Sequence, residues 1–212
     1  MTTENQIKPR FEFRAFGHHL EELINKMNQL SKVERIRDIY EVYLMSAGNI
    51  KNNVKIRNKM LDIKVLLSEK KSLELWEPYL VGEFPMKASI IRSEVFPAFG
   101  VESPPFERDV YTLVQFLDEL ISPDPDIIAV YTQKKRYAYT INNCICEVAE
   151  VIINGALIKT IAVESEDLKD ILDTKTLIGF NEQEENVNYP LAIKRVIGLF
   201  PRPMDHLHLT KN

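Results

Sequence analysis

The stretch DIIAVYTQKKRYAYTINNCICEVAEVIING, residues 126–155, decides the fold class of this chain. It is rich in β-branched and aromatic residues, which favour strands, and the turn residues INN at 141–143 divide it in two. Asn154-Gly155 follows, a strong signal for a two-residue hairpin turn, and leads into ALIKTIAVESED at 156–167. We therefore predict three consecutive antiparallel strands.

Two stretches nearer the N-terminus show the same period of two. RFEFRAF at 10–16 places charged side chains on one face and phenylalanines on the other. In VKIRNKMLDIKVLL at 54–67 the parity of the alternation changes at 58–60, which indicates a tight hairpin turn. Each arm of this hairpin presents charges on one face and aliphatic side chains on the other.

Three further stretches are less regular. DIYEVYLM at 38–45 is interpreted as a strand, and KASIIRSEVFPAF at 87–99 as another, with Arg92 on its polar face. SLELWEPYLVGEFPM at 72–86 contains two prolines and is interpreted as irregular or partly helical.

Helical spacing of apolar residues marks the remaining elements. The predicted helices are HLEELINKMNQL at 19–30, VYTLVQFLDELIS at 110–122, DLKDIL at 167–172 and YPLAIKRVIGLF at 189–200. Strands, a helix, more strands and then helices indicate an α+β protein with a largely antiparallel sheet. We expect one domain over residues 1–200 and a C-terminal tail at 201–212.

Bulk composition restricts the function classes. The formal net charge of −4 argues against a non-specific DNA-binding protein, which normally carries a basic excess. Cys144 and Cys146 lie two apart on one predicted strand, so an unstrained disulfide between them is not expected, and no zinc motif is present. No apolar run approaches the length of a membrane span. We expect a soluble protein of the reducing cytoplasm. The sequence leaves the oligomeric state open, with a homodimer as one option.

The charges on the predicted strands are sorted by sign. Cations are grouped at Lys55, Arg57 and Lys64 and again at Lys134 and Arg136. Acids occur in pairs, Glu147 with Glu150 and Glu164 with Glu166. Like charges on one strand face repel unless a cation lies between them, and paired carboxylates favour hard divalent ions such as Mg²⁺ or Mn²⁺. This pattern predicts a cavity for a polyanion rather than an ordinary solvated sheet face.

In this order and spacing the motifs resemble the CYTH family, the triphosphate tunnel metalloenzymes. RFEFR stands in the place of that family's opening ExExK strand, with Glu12 and Arg14 at its last two charged positions. VKIRNKMLDIKVL and YTQKKRYAY are similar to its basic strands, CEVAEVIING to its acidic strand and VESED to its terminal ExE. YPLAIKRVIG resembles its closing helix.

The resemblance implies an antiparallel eight-stranded barrel, closed or nearly closed into a tunnel, with helices outside. It further implies that cations bind the polyphosphate and that glutamates hold Mg²⁺ or Mn²⁺. The cations predicted to bind substrate are Arg14, Lys55, Arg57, Lys64, Arg92, Lys134 and Arg136. The predicted catalytic and metal-binding residues are Glu12, Glu150, Glu164 and Glu166, with Glu147 as the alternative to Glu150.

The implied function is metal-dependent hydrolysis of a triphosphate-bearing substrate, such as inorganic triphosphate or a nucleoside triphosphate. Adenylyl cyclase activity belongs to the same family and stays open. One departure favours an alternative: Arg10 stands where the family has the first glutamate of ExExK. Loss of that carboxylate favours a non-catalytic module that binds a nucleotide or polyphosphate.

Overall fold

The computed structural model describes residues 8–181 and 184–199. Within them, eight antiparallel strands close into a barrel in the order β1-β10-β9-β8-β2-β3-β4-β5, and two short strands, β6 and β7, pair outside it. The strands are β1 Arg10–Gly17, β2 Arg35–Ser46, β3 Asn52–Arg57, β4 Met60–Lys70, β5 Leu73–Glu83, β6 Met86–Lys87, β7 Val110–Tyr111, β8 Ile127–Ile141, β9 Cys144–Ile153 and β10 Ala156–Ser165. The predicted α+β class and closed eight-stranded barrel are confirmed.

Four tight hairpins set the register of the barrel, and one of them links β4 to β5 through Lys71 and Ser72 with φ values of 52° and 58°. Asn142 and Asn143 link β8 to β9 with φ values of 47° and 63°, and Asn154 and Gly155 link β9 to β10 with 46° and 88°. Positive φ at both central residues is the geometry whose twist suits a two-residue hairpin. The hairpin predicted at 58–60 is confirmed too, between β3 and β4.

Helices cover the barrel from outside in two groups. The elements are α1 Glu21–Leu30, α2 Ala88–Ile90, a π-helical stretch Ile91–Val95, α3 Phe96–Phe99, α4 Leu113–Gln115, a second π-helical stretch Phe116–Ile121, α5 Leu168–Ile178 and α6 Tyr189–Ile197. The segments at 88–99 and 113–121 pack on the outward side chains of β2, β3 and β4. Helices α1 and α5 pack on the outward side chains of β1, β8, β9 and β10.

Helix α6 has a different position, because it packs against inward-facing residues. Tyr189 and Ile193 of α6 form a buried apolar cluster with Tyr43, Met45, Val130, Ala149, Val151 and Ile153. These strand residues share the parity of the inward face, since side chains alternate across a strand. One end of the barrel interior is therefore filled by apolar packing, and charged side chains occupy the remainder.

The interpretation of residues 87–99 as a strand was wrong. This segment is helical, and Ile91, Val95, Phe96 and Phe99 are fully or almost fully buried against the barrel. Their spacing of four, one and three residues places them on one helix face, a pattern that a short apolar run does not distinguish from a strand.

The irregular or partly helical interpretation of residues 72–86 was also wrong, because most of the segment forms β5. Pro78 fits there beside a β-bulge: Ile63 pairs with Leu80 and Lys64 with Pro78, which leaves Tyr79 as the extra residue. Bulges are among the places where a sheet tolerates proline.

The helices predicted near 19–30, 110–122, 167–172 and 189–200 are present, with bounds as given above. The tail predicted at 201–212 lies outside the described residues, so the division into domain and tail stays a prediction. No helix in residues 8–181 or 184–199 has the length and hydropathy needed to cross a membrane.

Candidate functional site

The charged part of the barrel interior is a cavity of about 250 Å³. All eight barrel strands and the start of α6 contribute to it, because alternate residues of each strand point inward. Among the described residues, seven cationic and four acidic side chains line it: Arg10, Arg14, Lys55, Arg57, Lys64, Lys134 and Arg136, and Glu12, Glu41, Glu147 and Glu164. The cavity wall therefore carries an excess of positive charge.

Glu41 of β2 organises the lysines deepest in this cavity. Its carboxylate accepts a contact of 2.9 Å from the Lys55 ammonium and forms a close hydrogen-bonded ion pair with Lys134. The hydroxyl of Tyr43 also donates to Glu41, at 3.3 Å. Burial works against the charged form of Glu41, but Lys55 and Lys134 outweigh it and hold the pKa of this carboxyl below its usual range.

Lys134 is the most strongly perturbed cation of the cavity. Burial and the neighbouring charge of Lys55 lower its pKa to about 7, although Glu41 acts in the opposite direction. Its ammonium lies 3.5 Å from the centroid of the Tyr189 ring and 4.9 Å from that of Tyr43. These two rings stack at 5.8 Å, so they form an aromatic base beneath the lysine.

Arg14 of β1 organises the acidic side of the cavity. Its Nε lies 2.6 Å from Glu12, its Nη1 3.0 Å from Glu147 and its Nη2 3.8 Å from Glu164. The guanidinium also lies 4.5 Å from the centroid of the Tyr189 ring. Only 3% of Arg14 is exposed, so one buried cation is shared by three carboxylates.

The three carboxylates differ in their electrostatic surroundings. Burial alone would raise the pKa of Glu147, but Arg14 and Arg136 outweigh it and lower the pKa. Glu164 lies directly opposite Glu12 across the β1–β10 ladder. Burial, followed by the charge of Glu12, raises the pKa of Glu164. Glu12 and Glu164 are thus a crowded acidic pair whose closest neutralising group is Arg14.

This donor set does not fit a divalent ion as it is arranged. Glu12, Glu147 and Glu164 are all engaged with the Arg14 guanidinium, and the inward position two residues before Glu164 is Ala162 rather than another carboxylate. Within residues 8–181 and 184–199, no three His, Cys, Asp or Glu side chains are grouped to hold a metal ion. Mg²⁺ or Mn²⁺ as cofactor stays a prediction.

Eight of the predicted site residues meet in this cavity. They are Glu12, Arg14, Lys55, Arg57, Lys64, Lys134, Arg136 and Glu164. Their common position follows from strand alternation, which the sequence pattern had already indicated. Their roles in binding or catalysis stay predictions.

Three predicted residues lie elsewhere. Glu166 follows the end of β10, where its half-exposed side chain pairs with Lys8 at 3.2 Å. Glu150 is on the outer face of β9, opposite Lys159 of β10, and Glu147 is the member of that pair that faces the cavity. Arg92 lies on the outer helical segment, 4.6 Å from the centroid of the Phe106 ring.

Sequence reasoning missed several cavity residues. Glu41 lies on a stretch that was predicted to be a strand, so it shares a face with Ile39 and Tyr43, but nothing in the sequence marked that face as the inward one. Arg10 was placed on the charged face of its strand but was not predicted to be a site residue, yet it lines the cavity. Tyr189 could not have been found, because it reaches the cavity only through the docking of α6.

Comparison with known proteins supports the fold. No protein-family model matches the chain, and no curated protein matches it. HpAC1 from Hippeastrum, described as a proposed adenylyl cyclase with a dominant triphosphatase activity, matches at 12% identity with a TM-score of 0.51. The match covers 94% of this chain and 100% of HpAC1.

Two other solved structures are similar at lower scores. A conserved hypothetical protein from Pyrococcus furiosus is 16% identical, with 85% of this chain and 98% of that chain covered and a TM-score of 0.49. A proposed adenylate cyclase from Bacillus halodurans is 11% identical, with 87% and 95% covered and a TM-score of 0.48. The closed eight-stranded barrel and the likeness to HpAC1 together show that this chain shares the fold of HpAC1.

Proposed function

We propose that this protein binds a small molecule bearing a triphosphate group inside the barrel. The observation that carries the proposal is the cavity wall, where seven cationic side chains face four carboxylates among the described residues. Bringing like charges together in a buried site costs electrostatic free energy, and a bound polyanion offsets that cost. A triphosphate has both the charge and the extended shape that such a cavity accommodates.

Two cations are available for the ligand in the absence of any rearrangement. Arg10 and Lys64 line the cavity, and neither forms an ion pair with any residue in 8–181 or 184–199. Arg136 and Arg57 are partly engaged, with Glu147 and Asp62 respectively, and retain free guanidinium nitrogens. Guanidinium groups bind phosphate oxygens in a forked geometry, and lysines act as point charges.

Tyr189 supplies an additional polar contact. Its hydroxyl is buried without a hydrogen-bond partner among the described residues, and its side chain lines the cavity. An unpaired buried hydroxyl costs free energy that a phosphate oxygen would recover by accepting its hydrogen bond.

The proposal is tested by calorimetric titration of the purified protein with tripolyphosphate, ATP and orthophosphate. We expect saturable binding of tripolyphosphate and ATP and much weaker binding of orthophosphate, because a single phosphate reaches fewer of the cations. Equal affinity for all three ligands, or no binding, would contradict the proposal.

Hydrolysis of the bound triphosphate is the second candidate function. It is favoured by the fold shared with HpAC1, which is described as having a dominant triphosphatase activity. Phosphate release from tripolyphosphate and ATP, measured with Mg²⁺ and with Mn²⁺, tests it. Glu164→Gln should then abolish turnover, whereas the matched variant Glu166→Gln should keep it, since Glu166 lies beyond the strand. Binding without turnover in the presence of either divalent ion would contradict hydrolysis and leave ligand binding as the function.

A further inference from the structure

The basic face of the barrel interior continues past the cavity onto the edge of the barrel. Arg35 and Arg37 belong to β2 and have the same parity as Ile39, Glu41 and Tyr43, which line the cavity. Side chains two apart on a strand point to the same side, so these arginines extend the inward face toward solvent. We call Arg35, Arg37, Arg57 and Arg136 the rim arginines.

Cross-strand register brings like charges together at this rim. Arg37 lies directly opposite Arg136 in the β2–β8 ladder. The next pair along, on the outer face, is Asp38 with Lys135, which has opposite charges. Like charges directly opposite each other destabilise a sheet, whereas opposite charges stabilise it. The outer face is thus balanced, and the inward face is not.

Arg35 and Arg37 have no compensating acid among the described residues. Both are exposed, and neither forms an ion pair within residues 8–181 and 184–199. The positive charge of Arg35, followed by partial desolvation, lowers the pKa of Arg37, and the charges of Arg136 and Arg57 act in the same direction. The four guanidinium groups are therefore close enough to interact electrostatically.

Exposure of the cations increases steadily from the interior to this rim. The side chain of Lys134 is 7% exposed, that of Arg136 26% and that of Arg57 42%. At the opposite end α6 and its apolar partners fill the barrel. A ligand held in the cavity therefore has the rim as its way out. On the side of β3, only Glu41–Tyr43 of β2 are paired. The part of β2 that carries Arg35 and Arg37 therefore pairs with β8 on one side and has no strand on the other.

The chemistry of the cavity that opens at the rim favours phosphate over a nucleobase. The aromatic side chains that line the cavity are Tyr43, Trp76 and Tyr189, each at most 8% exposed. Protein sites for unpaired bases normally offer an exposed aromatic ring for stacking. Tyr40 of β2 is exposed but has the parity of the outer face. A row of guanidinium groups that continues from a cavity whose described lining offers no exposed ring suits a chain of repeating phosphates.

We propose that the ligand is a linear inorganic polyphosphate longer than three phosphates, with one end in the cavity, where Arg57 and Arg136 contact it, and the following phosphates on Arg35 and Arg37. This inference rests on the proposed function, because the terminal phosphates occupy the cavity described there. It adds a second segment of the binding site, whose cations are Arg35 and Arg37.

The test compares tripolyphosphate with size-fractionated long-chain polyphosphate, with concentrations counted per chain. The variant is Arg35→Gln/Arg37→Gln, which should fold normally because both side chains are exposed and one faces a like charge. The charge-matched control is Lys70→Gln/Lys71→Gln, which removes two exposed lysines from the β4–β5 hairpin at the other end of the barrel. Circular dichroism verifies folding of both.

We expect wild type and control to bind the long chain at least about tenfold more tightly than tripolyphosphate, the equivalent of one strong contact. In Arg35→Gln/Arg37→Gln that gain should disappear while tripolyphosphate affinity is kept. A gain that survives in this variant would come from the larger number of binding registers on a long chain and would overturn the inference.

Two other outcomes would also overturn it. If wild type binds the two ligands with equal affinity, the proposed function stands, but the rim arginines do not form a second segment of the binding site. A gain of the same size for RNA with a 5′-triphosphate, lost in the same variant, would identify the rim as an RNA-backbone site instead. If tripolyphosphate itself does not bind, the proposed function fails, and this result is distinguishable from all the others.

Discussion

The ammonium of Lys134 lies 3.5 Å from the centroid of the Tyr189 ring, so a buried cation of the barrel rests on an aromatic residue of α6. This contact joins the apolar end of the barrel to its charged cavity, since Tyr189 belongs to both. It also explains how a buried lysine persists next to further cations, because the face of an aromatic ring attracts positive charge.

Tyr189→Phe should separate the contribution of the aromatic ring from that of its hydroxyl. The ring remains beneath Lys134, and the lost hydroxyl has no partner among the described residues, so we expect the free energy of unfolding to stay the same or rise slightly. Tripolyphosphate affinity should fall, since the ligand loses a donor. Chemical denaturation and calorimetry measure the two effects. An unchanged affinity would show that the hydroxyl does not contact the ligand.

Lys134 predicts a pH dependence of binding. Because its pKa is lowered to about 7, the lysine loses its charge as the pH rises through that value, and tripolyphosphate affinity should fall. Lys134→Met should bind more weakly at low pH and lack this fall. Calorimetry across neutral pH tests the prediction, and an identical pH profile in wild type and variant would contradict it.

The same group predicts how stability depends on pH. The unfolded lysine has a pKa of about 10.4, whereas that of the folded lysine is about 7, so the unfolded state holds more protons between these values. The contribution of Lys134 to the free energy of unfolding should therefore increase with pH across this window. Chemical denaturation of wild type and Lys134→Met across this pH window measures the contribution, which is the difference between their free energies of unfolding. A difference that falls or stays flat would contradict the prediction.

Arg136→Ala should weaken tripolyphosphate binding by about 1.5–3 kcal/mol, the typical contribution of a hydrogen bond to a charged group. Arg92→Ala is the matched control, because Arg92 lies on the outer helical segment against Phe106. We expect its affinity to equal that of wild type. Equal losses in both variants would place the ligand outside the cavity.

Arg14→Ala tests the relationship between the buried guanidinium and the metal. Removing it leaves Glu12, Glu147 and Glu164 without their shared cation, and loss of one partner of a buried ion pair typically costs about 3–5 kcal/mol. Mn²⁺ should then raise the melting temperature of the variant and leave that of wild type unchanged. A rise of the same size in wild type would show that these carboxylates accept a divalent ion with Arg14 in place.

Strand alternation accounts for the part of the site that sequence could predict. Lys55 and Arg57 point inward together because they lie two apart, and so do Lys134 and Arg136. Glu147 and Glu150 lie three apart, so one of them must face outward, and only the register of β9 determines which. Glu166 satisfied the spacing but lies past the end of β10, and strand ends are poorly defined by pattern.

Tertiary contacts determine what the pattern could not. Arg92 follows two isoleucines in a short apolar run, and packing on the barrel decided in favour of a helix. Arg14 fits the last position of the ExExK motif, yet nothing in the sequence indicates that its guanidinium lies among three carboxylates. That arrangement depends on β1, β9 and β10 meeting in one barrel.

A fluorescence titration with tripolyphosphate in the presence of EDTA tests the central claim most directly. Trp76 is the single tryptophan of the chain and lines the cavity, where its indole donates a 3.0 Å hydrogen bond to Glu74. We predict a saturable change in its emission that matches the calorimetric affinity, without added metal. Calorimetric binding with no change in Trp76 emission, or no binding until Mg²⁺ or Mn²⁺ is added, would contradict a cavity in which the chain's own cations bind the triphosphate.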